Sequence, residues 1–219
     1  ANARKLDKLI SSLPSGILVS FDGTDFGGNE ASTVTSTSVT YDITAPEFSD
    51  ISPATSSKVN NADVSYTLSE SLASGTVTFT RSGGSADGSS PHVVNLTGAE
   101  LSSGSFSGAL TNAPTLVDGA IYSVSFDGVD QAGNSAGTIT SSSVTYDGTA
   151  PVFSSVSPAT SATVNSTDVA YTLSKSLASG TITFTRTGGS ADGSSPHTVN
   201  LAGAELNSGS FSGALTNAP

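Results

Sequence analysis

Short runs of alternating apolar and polar residues, separated by glycine-rich turns, fill most of this chain. Val64, Tyr66 and Leu68 alternate with Ser65, Thr67 and Ser69, the period of two that puts one face of a strand on a core and the other on water. Val77, Phe79 and Arg81 alternate with threonines in the same manner, and Tyr122, Val124 and Phe126 with Ser123 and Ser125. Val94 with Leu96, and Phe106 with Leu110, predict two further short strands. Phe48 and Ile51 predict an opening strand after Ala45-Pro46, and Thr138–Thr145 a closing one. Gly83-Gly84, Asp87-Gly88, Ser89-Ser90-Pro91-His92 and Ala132-Gly133-Asn134 between them are turn chemistry. About seven short strands per roughly 100 residues predicts an all-β fold of the sandwich type. Helical spacing occurs only over Ala3–Leu13, where Leu6, Leu9, Ile10 and Leu13 recur before Pro14-Ser15-Gly16.

The pattern repeats. Residues 41–114 return as 146–219 at a fixed offset of 105, with 15 of the 74 paired positions different. Residues 19–40 likewise match 124–145. A fixed period is the mark of a tandem array. It divides the chain into a basic, helix-patterned segment at 1–15, the last two strands of a unit at 16–43, a complete unit at 44–147 and an incomplete unit at 148–219. The segment 1–15 carries Arg4, Lys5 and Lys8, three of the seven basic residues, and has no counterpart in the repeat.

Composition narrows the function classes. The chain has 219 residues, no Cys and no Met, which excludes a disulfide framework and thiol chemistry and reads as a processed product or an excised piece. A net charge of −11 argues against nucleic-acid binding, which needs a basic footprint. No apolar run approaches the roughly 18 residues that span a bilayer. An acidic, Cys-free, Ser/Thr/Gly-rich repeat is the composition of secreted bacterial surface proteins.

Two motifs carry a resemblance. The linker Tyr41-Asp42-Ile43-Thr44-Ala45-Pro46, repeated as Tyr146-Asp147-Gly148-Thr149-Ala150-Pro151, and the loop Asp130-Gln131-Ala132-Gly133-Asn134 resemble the tandem immunoglobulin-like domains of giant bacterial surface adhesins. The first copy of the loop departs slightly, with Gly27 where the motif has Ala. The resemblance covers residues 16–219 and implies tandem immunoglobulin-like β-sandwiches on the cell surface. It does not fix the function, because such domains serve as stalks, tips and filament subunits alike. It also brings in calcium, which stiffens the junctions of such arrays. The matching positions are Asp42, Asp127, Asp130, Asn134 and Asp147, with Asp22, Asp25 and Asn29 in the first copy. Calcium takes six to eight oxygen ligands, so the linker Asp must converge with the loop Asp and Asn at a domain end. The alternative is that these residues only make turns. No cofactor is otherwise required.

The phase of the repeat suggests a mechanism. Residues 148–219 hold counterparts of the first five strands, and 16–43 hold counterparts of the last two. An incomplete sandwich exposes its core and its strand edges. Completion between chains predicts a head-to-tail homopolymer, with Ile17, Val19, Phe21, Val34 and Val39 as donor side chains. The acceptor side chains are Val169, Tyr171, Leu173, Ile182, Phe184 and Phe211. Such a contact need not close on itself and yields a fibre. The rival readings are a stalk segment of a calcium-stiffened adhesin, and a module that binds a surface or glycan ligand through its loops. The last has little to stack a sugar on: Phe26 is a loop aromatic, but Gln131 holds its matching position and there is no Trp.

An enzyme is not expected. His92 and His197 are one residue seen twice, each in a Gly-rich loop beside Asp87 or Asp192, and a solvated turn is the expectation for both. Glu100 and Glu205 recur without a second carboxylate at a fixed spacing. Arg81 and Arg186 follow the inward parity of their strands, and the close following Gly83 and Gly188 predict that each strand ends there.

Overall fold

The computed structural model describes residues 16–218, so the helix expected over Ala3–Leu13 lies outside the described residues. The chain is all-β and divides into two compact units between Gly148 and Thr149. In the first, β1 (Ile17–Phe21) and β2 (Val34–Val39) pair as a hairpin. The body of this unit comprises β3 (Phe48–Ser52), β4 (Lys58–Val59), β5 (Val64–Leu68), β6 (Leu72–Gly84) and β7 (His92–Asn95). It continues with β8 (Gly104–Gly108), β9 (Ala120–Asp130) and β10 (Ile139–Tyr146). One sheet has the order β3-β5-β8 and the other β4-β10-β9-β6-β7.

The alternation seen in the sequence sets what each strand buries. Every second residue of β9 is buried, from Ala120 through Tyr122, Val124 and Phe126 to Asp130. These side chains meet Tyr66 and Leu68 from the other sheet, and Val77 and Phe79 from their own, in one sandwich-like core. The outward positions are largely Ser and Thr, residues that suit a pleated, half-wet surface. Burying each large apolar side chain contributes about 1.5–3 kcal/mol, so β9 is the main contributor to closure of this core.

Arg81 does not end its strand. β6 runs on to Gly84, with Arg81 opposite Tyr122 in the ladder, and the Arg81 side chain lies exposed. There Nε donates to the Ser85 carbonyl and Nη2 to the Gly84 carbonyl, both at 2.6 Å. The guanidinium is thus satisfied at the exposed turn without crossing the core.

The second unit comprises β11 (Phe153–Ser157), β12 (Val169–Leu173), β13 (Thr181–Phe184), β14 (His197–Asn200) and β15 (Gly209–Gly213), in sheets β11-β12-β15 and β13-β14. Its registers are those of the first unit displaced by one repeat. Phe153 faces Leu173 as Phe48 faces Leu68, Tyr171 faces Phe211 as Tyr66 faces Phe106, and Ile182 faces Val199 as Val77 faces Val94. Among the described residues of this unit there is no counterpart of β9 or β10. In consequence β13 has four residues where β6 has 13: it keeps only the segment paired to β14. No helix of the described residues is long and apolar enough to cross a membrane.

Candidate functional site

In the first unit β9 lies antiparallel against β6, with Val77 opposite Phe126, Phe79 opposite Val124 and Arg81 opposite Tyr122. Phe126 is 0% exposed, and its ring contacts those of Phe48 and Tyr66 at 5.9 and 5.8 Å. The same face of the second unit is uncovered. Phe153 is 43% exposed where Phe48 is 6%, and Val156 is exposed as well. A groove of about 350 Å³ opens there, lined by Phe153, Val156, Val169, Tyr171, Ile182 and Phe184. All six predicted acceptor side chains lie at this core: Val169, Tyr171 and Leu173 are buried, with Ile182, Phe184 and Phe211 packed beside them. Phe211 is stacked on Tyr171 at 5.3 Å.

A close approach in the first unit gives a second measure of the opening. Gly84 has φ +66°, and a Cβ added to it would stand 2.1 Å from the Gly119 carbonyl oxygen, in the lead-in to β9. At Gly189, the same position one repeat later, φ is +76° and nothing lies within 4 Å.

The hairpin β1–β2 has the shape of the strands that cover this face in the first unit. Ile17 pairs with Val39, Val19 with Ser36 and Phe21 with Val34. In β9–β10 the pairs are Tyr122 with Val144, Val124 with Ser141 and Phe126 with Ile139, which are the same positions one repeat later. The register shift falls at the same place in both, and Ser38 and Ser143 share a positive φ of 60° and 59°. Of the hairpin's apolar side chains, Phe21 is 60% exposed and Val34 63%, while Ile17 and Val19 are half-buried.

The loop that follows each first strand is also duplicated. Asp25 Oδ1 accepts from the Gly27 and Asn29 amides at 2.8 Å, and Oδ2 from Asn29 Nδ2 at 2.7 Å. Asp130 does the same with Ala132 and Asn134, at 2.8 Å throughout. These bonds hold both carboxyls below their ordinary range. At Asp25 the Asn29 side chain is the largest influence, whereas at Asp130 burial opposes and is outweighed.

Of the eight positions considered for calcium, the structure brings Asp42, Asp130 and Asn134 together, and it adds Glu70. Asn134 Nδ2 donates to the Asp42 carbonyl at 3.1 Å, and carboxylate oxygens of Asp42, Glu70 and Asp130 lie within 4.8 Å of one another. Burial and then the charges of Asp42 and Asp130 push the Glu70 carboxyl up. Asp127 is not in this group; it accepts from the Thr138 hydroxyl on the outer face of β9. Asp147 donates its amide to the Val59 carbonyl at 2.8 Å beside β4, and Asp22, Asp25 and Asn29 belong to the exposed hairpin. Glu70 escaped the sequence reading, although a signal was present. Its counterpart is Lys175, the one reversal of charge between the two copies.

His92 and Asp87 are more enclosed than a solvated turn. His92 Nε2 lies 2.7 Å from Asp87 Oδ2, and the Tyr122 hydroxyl donates to the same oxygen at 2.8 Å. The hydroxyl in turn accepts from the Val117 amide at 3.0 Å. The His92 bond, then that of Tyr122, lowers the Asp87 carboxyl to about 2. His197 and Asp192 keep the contact at 2.8 Å, but their side chains are 33% and 39% exposed without a tyrosine over them. Asp87 Oδ1 also accepts from the Ser89 amide at 3.0 Å. No protein-family model matches the sequence, and no curated protein matches it.

Proposed function

We propose that this is an extracellular structural protein of immunoglobulin-like repeats that joins copies head to tail. The hairpin β1–β2 of one chain closes the second unit of the next. The observation that carries this reading is the shared register: the uncovered hairpin repeats, pair for pair, the two strands that cover the equivalent face of the first unit. Laid against β13 in that register, Phe21 stands opposite Ile182 and Val19 opposite Phe184. Phe21 then meets Tyr171 and Phe153, as Phe126 meets Tyr66 and Phe48.

The energetics favour closure. Burying Phe21 contributes about 1.5–3 kcal/mol and completing the burial of the half-buried Ile17 and Val19 a part of that each, and the added strand satisfies edge groups of β13 that otherwise invite aggregation. The two surfaces differ, so the contact is heterologous and propagates without a closing symmetry. Main-chain pairing gives affinity and alternate side chains give specificity, as in other strand additions. The chemistry of the sites is consistent with a structural role: the buried carboxylates Glu100 and Asp87 are both spent on holding loops.

Electron micrographs and sedimentation velocity test this directly. The intact chain forms fibres, and deletion of residues 1–40 leaves monomers. Polymer that survives the deletion overturns the proposal.

A second reading is favoured by the convergence of Asp42, Glu70 and Asp130. Here the chain is a stalk of a surface adhesin, with neighbouring repeats making the same joint in series and calcium stiffening it at these carboxylates. Calorimetric titration of metal-stripped protein with calcium, showing heat and a raised melting temperature, supports it. Absence of both removes it.

A further inference from the structure

We infer that Lys175 of the second unit and Asp25 of the hairpin of another copy form an ion pair that seats the hairpin in the open face. The inference rests on the strand-sharing reading above and deepens it by naming what selects the joint. Its starting point is the charge reversal between the two copies. Four of the differing positions involve a charge: Glu47, Asp50 and Lys58 become uncharged, and Glu70 alone becomes its opposite, Lys175.

In the first unit Glu70 has Asp130 and Asp42 as its acidic neighbours, with all three carboxylates within 4.8 Å. Asp130 arrives there on the end of β9, so closure of that unit by its own strand brings like charges together. Asp25 is the hairpin's counterpart of Asp130. It follows β1 as Asp130 ends β9, and is held by the same pattern of two amides and one asparagine side chain. A hairpin laid on the second unit in the β9 register therefore presents Asp25 to residue 175. That residue is an ammonium, a three-proton donor whose contacts include the Thr149 carbonyl.

The joint between copies thus gains an opposite-charge pair where the closed unit carries a repulsion. Complementary charges of this sort raise association rates and penalise the wrong partner. A hairpin entering the second unit meets a cation. The same hairpin competing with β9–β10 for the first unit meets the Glu70 carboxylate at that place. The charge directs strand exchange to the acceptor and away from a unit already closed.

The test uses the full chain and reads the concentration of half-assembly by sedimentation velocity, at low and at physiological salt. Lys175→Glu restores the residue of the first unit at the same backbone position. It is expected to raise that concentration about tenfold at low salt, with a smaller effect at higher salt. Lys175→Gln and Asp25→Asn, which keeps the loop's amide acceptor, are each expected to raise it about threefold. Combined with Asp25→Asn, Lys175→Glu is expected to lose most of its effect, the sign of a direct pair. Equal assembly of Lys175→Glu and the unaltered chain overturns the ion pair and leaves strand sharing standing. So does a Lys175→Glu effect undiminished by Asp25→Asn. An unaltered chain that stays monomeric at every concentration overturns both.

Discussion

Phe126 stands edge-on to Tyr66 with ring centroids 5.8 Å apart, the contact through which β9 closes the core of the first unit. One repeat away, Tyr171 keeps its stacking on Phe211 and its edge contact with Phe153, both at 5.3 Å. It has no ring in the place of Phe126 among the described residues of its unit. The relationship isolates what a single strand contributes, because the remaining contacts of the tyrosine recur in both units. Its hydroxyl donates to the Glu100 carbonyl at 2.6 Å in one and to the Glu205 carbonyl at 2.7 Å in the other.

Phe126→Ala removes that ring from a site with no solvent exposure. A Phe-to-Ala truncation in a packed core costs about 3–5 kcal/mol. Denaturant unfolding followed by tyrosine fluorescence is expected to show that loss in the first unit. A change under 1 kcal/mol would mean that β9 is not what holds the two sheets together.

Phe21→Asp places a carboxylate at the hairpin position that matches Phe126. Phe21 is largely exposed, so the first unit is expected to unfold at the same denaturant concentration as before. Assembly is expected to be lost, since an unpaired charge does not enter an apolar groove. Unaltered stability with monomers in sedimentation velocity is the expected pair of results, and fibres from this variant contradict the assigned face of β1.

Glu100 is 3% exposed and ties two loops. Oε2 accepts from the Thr97 amide at 2.6 Å, and Oε1 from the Thr111 amide at 2.6 Å and hydroxyl at 2.9 Å. Glu100→Ala strands both amides without acceptors and is expected to destabilise the unit by about 2–4 kcal/mol. Glu100→Gln keeps one acceptor and is expected to cost about half as much. Urea midpoints of the two variants check the order, and an alanine variant as stable as the glutamine one contradicts it.

Much of this architecture was legible in the sequence because its strands alternate strictly. Val64–Leu68, Val77–Phe79 and Tyr122–Phe126 announce their buried faces, and the repeat announces that hairpin and β9–β10 are one structure. What stayed hidden depends on neighbours remote in sequence. β4 is a two-residue strand that exists through its parallel pairing with β10, and Lys58-Val59 carries no periodicity of its own. Arg81 keeps inward parity and stands opposite Tyr122, yet its guanidinium reaches the Ser85 and Gly84 carbonyls at the exposed turn. Glu70 meets Asp42 and Asp130 only because the topology folds three distant loops onto one end. Asp87 reads as a turn residue, and it is the tyrosine arriving on β9 that encloses it.

Asp87 should mark the acid limit of the closed unit. Its carboxyl is lowered to about 2 by the His92 and Tyr122 bonds, against about 3.9 in an unfolded chain. A group depressed in the folded state contributes stability that is complete above its unfolded value and is lost as pH falls through the folded one. The contribution of Asp87 is therefore whole above about pH 5 and disappears between about pH 4 and 2. Asp87→Asn removes the titration. Urea unfolding across this range is expected to show the variant less stable than the unaltered chain at neutral pH, with the two curves converging as pH approaches 2. A gap that stays constant from pH 7 to 2 would mean that the carboxylate's charge plays no part in holding Tyr122 and His92.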